Sequence, residues 1–175
     1  MVSKVDENQQ GDCHIPKVWT FKDDDVANKF QHHVTHQLPW YNTVTEFVQS
    51  LAMSYVREDG LVYDIGCSKG NVTKALIDPF ETLGVDVVGI ETSEQMVNQY
   101  QGAGEVYHGD AYHYFCEHTK GRYFDVAICF LSVMFMPHAE RTKLIGRLQN
   151  LCKTGGCIII VDKEVPKSGY IGTAL

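Results

Sequence analysis

From residue 61 onward, short continuous apolar runs alternate with segments whose apolar positions recur every three or four residues, the pattern of strands alternating with helices. The runs predict strands at 61–65, 85–90, 105–108, 124–130 and 157–161. Between them the spacing predicts helices at 69–77 (ending before Pro79), 94–100, about 111–116, and 138–152 (ending at Gly155-Gly156). The second, fourth and fifth runs lack polar alternation, as expected where helices cover both faces of a parallel sheet. Upstream, Asp23-Asp24-Asp25 offers negative charge to a helix carrying Val26, Phe30 and Val34 and closed by Pro39. A second helix follows from a capping box, Thr43-x-x-Glu46, with an apolar stripe through Val44, Phe47, Val48, Leu51, Ala52, Tyr55 and Val56, and stops at Asp59-Gly60. The expected fold is α/β, a Rossmann-like doubly wound, mostly parallel sheet with an N-terminal helical extension. Residues 1–17, polar and aperiodic, read as a loose tail before one domain at 18–175.

Composition narrows the class without changing the fold. The 175 residues are 44% hydrophobic and 21% charged, ordinary for one globular domain. A formal net charge of −7 gives no global electrostatic case for nucleic acid or an anionic membrane. Arg141, Lys143 and Arg147 read as a solvated helix face. Six cysteines without a Cys-x-x-Cys pair, several inside strand-like runs, fit reduced thiols in a cytoplasmic protein. The N-terminus lacks the apolar core of a signal peptide, and the apolar run 126–136 is too short to span a bilayer. His32 and His36 lie one turn apart with His33 beside them, but no third ligand is evident, so no metal is expected.

The chemistry concentrates at Val62-Tyr63-Asp64-Ile65-Gly66-Cys67-Ser68-Lys69-Gly70. Glycines there would let the backbone approach a nucleotide-like ligand, and the N–H groups of the following helix start would face it. A dinucleotide site wants Gly-x-Gly-x-x-Gly, and two of those three glycines are replaced by Ser68 and Asn71, which counts against NAD. Gly66-x-Ser68-x-Gly70 also matches a nucleophile elbow, yet that motif needs an acid and then a histidine later in the chain. Cys67 reads as small-residue packing and Met134, Phe135 and Met136 as pocket or core. In such sheets ligands sit outside the carboxyl ends of the strands. That position gathers the loop at 64–70, Glu91-Thr92, Asp110-Ala111 and the segment from Phe130 to Met134.

Asp64-x-Gly66-x-Ser68-x-Gly70, Glu91 and Asp110, ending three successive strands, resemble the S-adenosylmethionine (SAM) site of class I methyltransferases. The resemblance implies that Glu91 binds both ribose hydroxyls, that Asp110 receives the adenine amino group, and that apolar side chains sandwich the ring. It extends through Phe21 to Phe30, Gln37-Leu38-Pro39-Trp40-Tyr41, the run from Ile90 to Met96 (Glu91-Thr92-Ser93-Glu94-Gln95-Met96), Glu140-Arg141 and Gly155-Gly156. Over about residues 20–162 the chain is similar to carboxy-SAM synthase and related methyltransferases of the tRNA wobble-uridine oxyacetic acid pathway. The same resemblance makes Tyr41 a cap over the cofactor. Where that family has asparagine after the fourth strand this chain has Phe130, and it has Glu91-Thr92 in place of aspartate-asparagine. The implied cofactor set is Tyr41, Asp64, Gly66, Ser68, Gly70, Glu91, Thr92, Met96, Asp110, Ala111 and Phe130, with no catalytic residue named.

The expected function is SAM-dependent methyl transfer to an acceptor that is a small molecule in preference to nucleic acid. The alternatives are a C-terminally truncated, non-catalytic SAM-binding or assembly protein, or a carboxy-SAM synthase-like enzyme. Class I methyltransferases continue past the fifth strand, so 157–161 would form a bare edge here. A partner copy, or a further portion of a longer chain, is expected to cover it.

Overall fold

The computed structural model describes residues 24–119 and 121–163. The expected tail at 1–17, Asp23 and the segment after residue 163 lie outside the described residues. Helix α1 (Asp24–Gln37) and helix α2 (Tyr41–Tyr55) precede a five-stranded sheet built from β1 (Leu61–Ile65), β2 (Asp86–Glu91), β3 (Glu105–His108), β4 (Phe124–Phe130) and β5 (Cys152–Val161). The crossovers are α3 (Ile77–Thr82), α4 (Glu94–Val97), α5 (Ala111–Glu117) and α6 (His138–Leu151), with single 3-10 turns at Lys74–Leu76 and Val133–Phe135. All pairings are parallel and the strand order is β3-β2-β1-β4-β5, so the order reverses between β1 and β4. A crevice at the carboxyl ends follows from that reversal.

The period-2 alternation of β1 separates two cores. Leu61, Tyr63 and Ile65 face α5 and α6 with Phe115, Leu144 and Leu148, while Val62 faces α2 and α3 with Val48, Ala52 and Phe80. β1 and β4 are buried along their whole length because helices cover both faces. Among the described residues no helix is long and apolar enough to cross a membrane, and their cysteines form no disulfide.

Expected local structure is corrected in three stretches. Helix α2 starts at Tyr41, so Thr43 and Glu46 sit inside it and form no capping box. Trp40 already has helical backbone angles (φ −83°, ψ −7°) and supplies no side-chain cap. The segment after the glycine loop is not one helix over 69–77 but turns, the 3-10 turn, and then α3, which contains Pro79. Proline is tolerated there because a first-turn N–H has no helical acceptor to lose. Gly155-Gly156 does not end α6. That helix stops at Leu151, and β5 begins immediately, pairing Cys152 with Phe124 and Cys157 with Val126 across an irregularity that takes up the extra residues. Gly155 has φ +80°, and a side chain on Gly156 would meet the Asp125 carbonyl, so the glycines serve the bulge.

The bulge is pinned by charge. Asp125 is fully buried, accepts the Leu61 N–H at 3.0 Å, and stands 2.6 Å from Lys153 Nζ and 3.2 Å from Arg57 Nε. Arg57 Nη2 also donates to the Thr154 carbonyl at 2.7 Å. The basic face expected on α6 is likewise committed in part: Arg147 Nε donates to the Phe115 carbonyl, while Arg141 donates through Nε and Nη2 to the carbonyls of Met136 (2.8 Å) and Met134 (2.7 Å).

Candidate functional site

At the switch point the strand ends and the two N-terminal helices enclose a cavity of about 430 Å³. Ten of the expected residues line it: Tyr41, Asp64, Gly66, Ser68, Glu91, Thr92, Met96, Asp110, Ala111 and Phe130. Gly70 does not. A side chain on Gly70, which has φ +81°, would collide with the Gly102 backbone, so its glycine serves packing of the loop and not approach to a ligand. Gly66 is glycine for a similar reason, since a side chain would run into Ser132 on the loop after β4.

The glycine loop is not a phosphate cradle. Four of its N–H groups are spent within the protein: Gly66 and Cys67 donate to the Ile90 carbonyl, Gly70 to the Cys67 carbonyl, and Ser68 to Glu91 Oε2 at 2.9 Å. The helix start expected to face a ligand is displaced to residue 74 and beyond. What the loop presents instead is negative charge. Asp64 is buried, its Oδ2 has no hydrogen-bond partner, and burial together with the nearby Glu91 carboxylate raises its pKa to about 7. Glu91 is held rigidly: Oε1 accepts from Thr92 N (2.8 Å), Thr92 Oγ1 (3.3 Å) and Ser93 N (2.8 Å), while Oε2 accepts from Ser68 alone among these. Ser68 itself takes φ +53°, and its hydroxyl donates to the Met96 thioether at 3.4 Å, an arrangement unlike a nucleophile elbow. Asp110 caps α5 by accepting the His113 N–H at 2.8 Å.

Over these groups lies an aromatic roof. Tyr41 meets Phe130 edge to face at 5.2 Å, its hydroxyl accepts from Asn71 Nδ2 at 3.3 Å, and burial raises its pKa. Cys67 is buried against β2, where a side chain on Gly89 would touch its sulfur, and burial pushes its thiol well above the ordinary value, as packing requires. Met134 and Met136 line the cavity beside Phe135. Asn71, Ser132, Gln37 and Lys163 also line it, none of them assigned to the cofactor set from the sequence, although Gln37 opens the stretch ending at Tyr41 and Ser132 lies in the segment from Phe130 to Met134. The Ser132 hydroxyl is buried without a partner. Its one signal is indirect, because a glycine as constrained as Gly66 needs a small neighbour. His32 and His36 stack on each other at 6.2 Å, and among the described residues no cluster of three metal-ligating side chains forms.

A doubly wound sheet of this order, with acids ending β1 and β2 and a third opening α5, is the Rossmann-like fold of class I methyltransferases. Residues 62–156, more than half of the chain, match the family described as methyltransferase domain, and the chain belongs to that family. Curated relatives include carboxy-S-adenosyl-L-methionine synthases from Staphylococcus epidermidis and Actinobacillus pleuropneumoniae serotype 3. The first is 29% identical over 151 residues, covering 85% of this chain and 64% of the relative. The second is 24% identical over 145 residues, covering 81% and 60%. The chain thus spans about three-fifths of the length of the curated relatives it matches. Among solved structures, DesVI of Streptomyces venezuelae superposes with a TM-score of 0.62 at 19% identity, covering 82% of this chain and 60% of that one. The plantazolicin methyltransferase BpumL, solved in complex with SAH, superposes with a TM-score of 0.56 at 17% identity, covering 76% and 51%.

Proposed function

We propose that this chain is a SAM-dependent methyltransferase, binding SAM over the carboxyl ends of β1 to β4 and methylating a small-molecule acceptor. The observation that carries the reading is the loop after β1, where the N–H groups of Gly66, Cys67, Ser68 and Gly70 are bonded within the protein while Asp64 keeps a buried, unpartnered oxygen beside Glu91. Such a site repels phosphates and suits a ligand bearing ammonium and sulfonium charge. SAM supplies an activated methyl group when bound. Asp64 would receive its ammonium, Glu91 Oε2, with its second lone pair, the ribose hydroxyls, and Asp110 the adenine amino group. Tyr41, Met96, Ala111 and Phe130 would hold the apolar parts, while Thr92 and Ser68 fix Glu91. Methyl transfer to a good nucleophile is then a matter of alignment and water exclusion, which needs no side-chain base.

Calorimetric titration with SAM tests the reading. Wild type is expected to bind, and Glu91→Ala, which also frees the N–H groups of Ser68, Thr92 and Ser93, is expected to weaken binding at least 100-fold, on the order of 3 kcal/mol. Unchanged affinity would show that the ribose lies elsewhere. Turnover to S-adenosylhomocysteine, followed by mass spectrometry, separates an enzyme from a SAM-binding protein without catalysis. As for partners, β5 is one of the two outer strands among the described residues and Ile160 on it is 46% exposed, so self-association along this edge belongs to the same proposal. Sedimentation should find a dimer; a monodisperse monomer would remove this part.

A further inference from the structure

The cavity divides at the switch point. Asp64, Glu91 and Asp110 line the part over β1 to β3, whereas Met134, Phe135, Met136, Glu140 and Lys163 line the part over β4 and β5, with His33 of α1 above. On the methyltransferase reading, the first part holds the cofactor and the second receives the acceptor. From the charges and surfaces of the second part we infer that the acceptor is an amine with an apolar, preferably aromatic, substituent.

Three features select it. The wall is thioether and aromatic: Met134 and Met136 flank Phe135, which is 60% exposed, a surface that takes ring edges and ammonium groups well. Glu140, in the first turn of α6, is an exposed carboxylate at the mouth, suited to draw in an ammonium. Finally, nothing bidentate is offered to an anion. Among the described residues no arginine lines the cavity, and Arg141, next to Glu140, is turned onto the carbonyls of Met134 and Met136. Three carboxyl groups in the cofactor part, against a cofactor of net single positive charge, leave a negative field, and Lys163 is the one lysine or arginine among the described lining residues to oppose it. A carboxylate or phosphate acceptor would enter against that field. Before transfer the bound ammonium gives up one proton to water at the mouth, and the free amine then reacts: its lone pair forms the N–C bond, the S–C bond breaks with its electrons returning to sulfur, and the new ammonium keeps its proton or sheds it to water.

The test uses the full chain saturated with S-adenosylhomocysteine and three probes sharing one ring, benzylamine, benzoate and phenyl phosphate, with binding read by calorimetry and ligand-observed NMR. Benzylamine should bind at least about tenfold tighter than either anion. Glu140→Gln should cut that preference roughly threefold, the worth of an exposed ion pair, while leaving S-adenosylhomocysteine affinity unchanged. Benzoate or phenyl phosphate binding as well as benzylamine overturns the inference, as does no benzylamine binding or a preference untouched in Glu140→Gln. Failure of S-adenosylhomocysteine itself to bind is a separate result and overturns the methyltransferase reading beneath it.

Discussion

Asp64→Asn is expected to make the ligand-free protein more stable above pH 7 while destroying SAM binding. The carboxyl has an ordinary value of 3.8 and a folded value of about 7. The folded state therefore holds more protons than the unfolded chain between those values, and stability falls as pH rises through that window, then levels off. Each unit corresponds to about 1.4 kcal/mol, so the ionised side chain costs on the order of 4 kcal/mol at pH 8. Asparagine removes the charge but leaves a buried amide to satisfy, so a net gain of about 2 kcal/mol, roughly 5 °C in Tm, is expected at pH 8 and little below pH 4. An ammonium ligand prefers the carboxylate, so SAM affinity should fall about tenfold per unit below pH 7 and stay level above it. Thermal melts at pH 4 and 8 and titrations at pH 6 and 8 check both halves. Equal wild-type affinity at pH 6 and 8, or a variant less stable than wild type at pH 8, would remove Asp64 from this role.

The second large effect lies at the opposite end of the sheet. Asp125→Ala should destabilise by about 2–4 kcal/mol, since it strands the Leu61 N–H and leaves Lys153 and Arg57 without their common partner. The figure sits below that of a fully buried pair because those side chains are 34% and 52% exposed and can turn to water. Asp125→Asn keeps an acceptor for Leu61 and should cost less. Denaturant melts rank the three proteins; an alanine variant within about 0.5 kcal/mol of wild type, the scatter of ordinary surface changes, would mean that β5 is held by its strand pairing alone.

These two acids also mark how far the sequence could be read. The strands β1 and β4 are bounded by turn residues and run largely apolar, and β3 is a short apolar pair between turn residues, so pattern alone delimits them. Acids at the ends of β1 and β2 stand out because a charge closing a buried run has no core role to play. The start of β5 is different. Gly155-Gly156 looks like a helix stop locally, but its geometry answers to Asp125, some thirty positions away in sequence. The helix after the glycine loop fails likewise: Gly70 is shaped by Gly102, a contact that no local propensity encodes. Arg141 reads as surface charge because helical spacing places it outward, and its reach back to the loop before α6 is a tertiary fact. Ser132 and Asn71 escape assignment to the site because single uncharged polar residues in loops carry no periodic signal.

The contact of Gly66 with Ser132 joins the loop after β1 to the loop after β4 with no space for a side chain between them. The floor of the cavity is therefore one continuous piece from the loop after β1 to the loop after β4. Neither loop can be displaced toward the other, so on the proposed reading the distance between donor and acceptor would be set by the backbone, and a change of acceptor would have to be made farther out, along Met134 to Glu140.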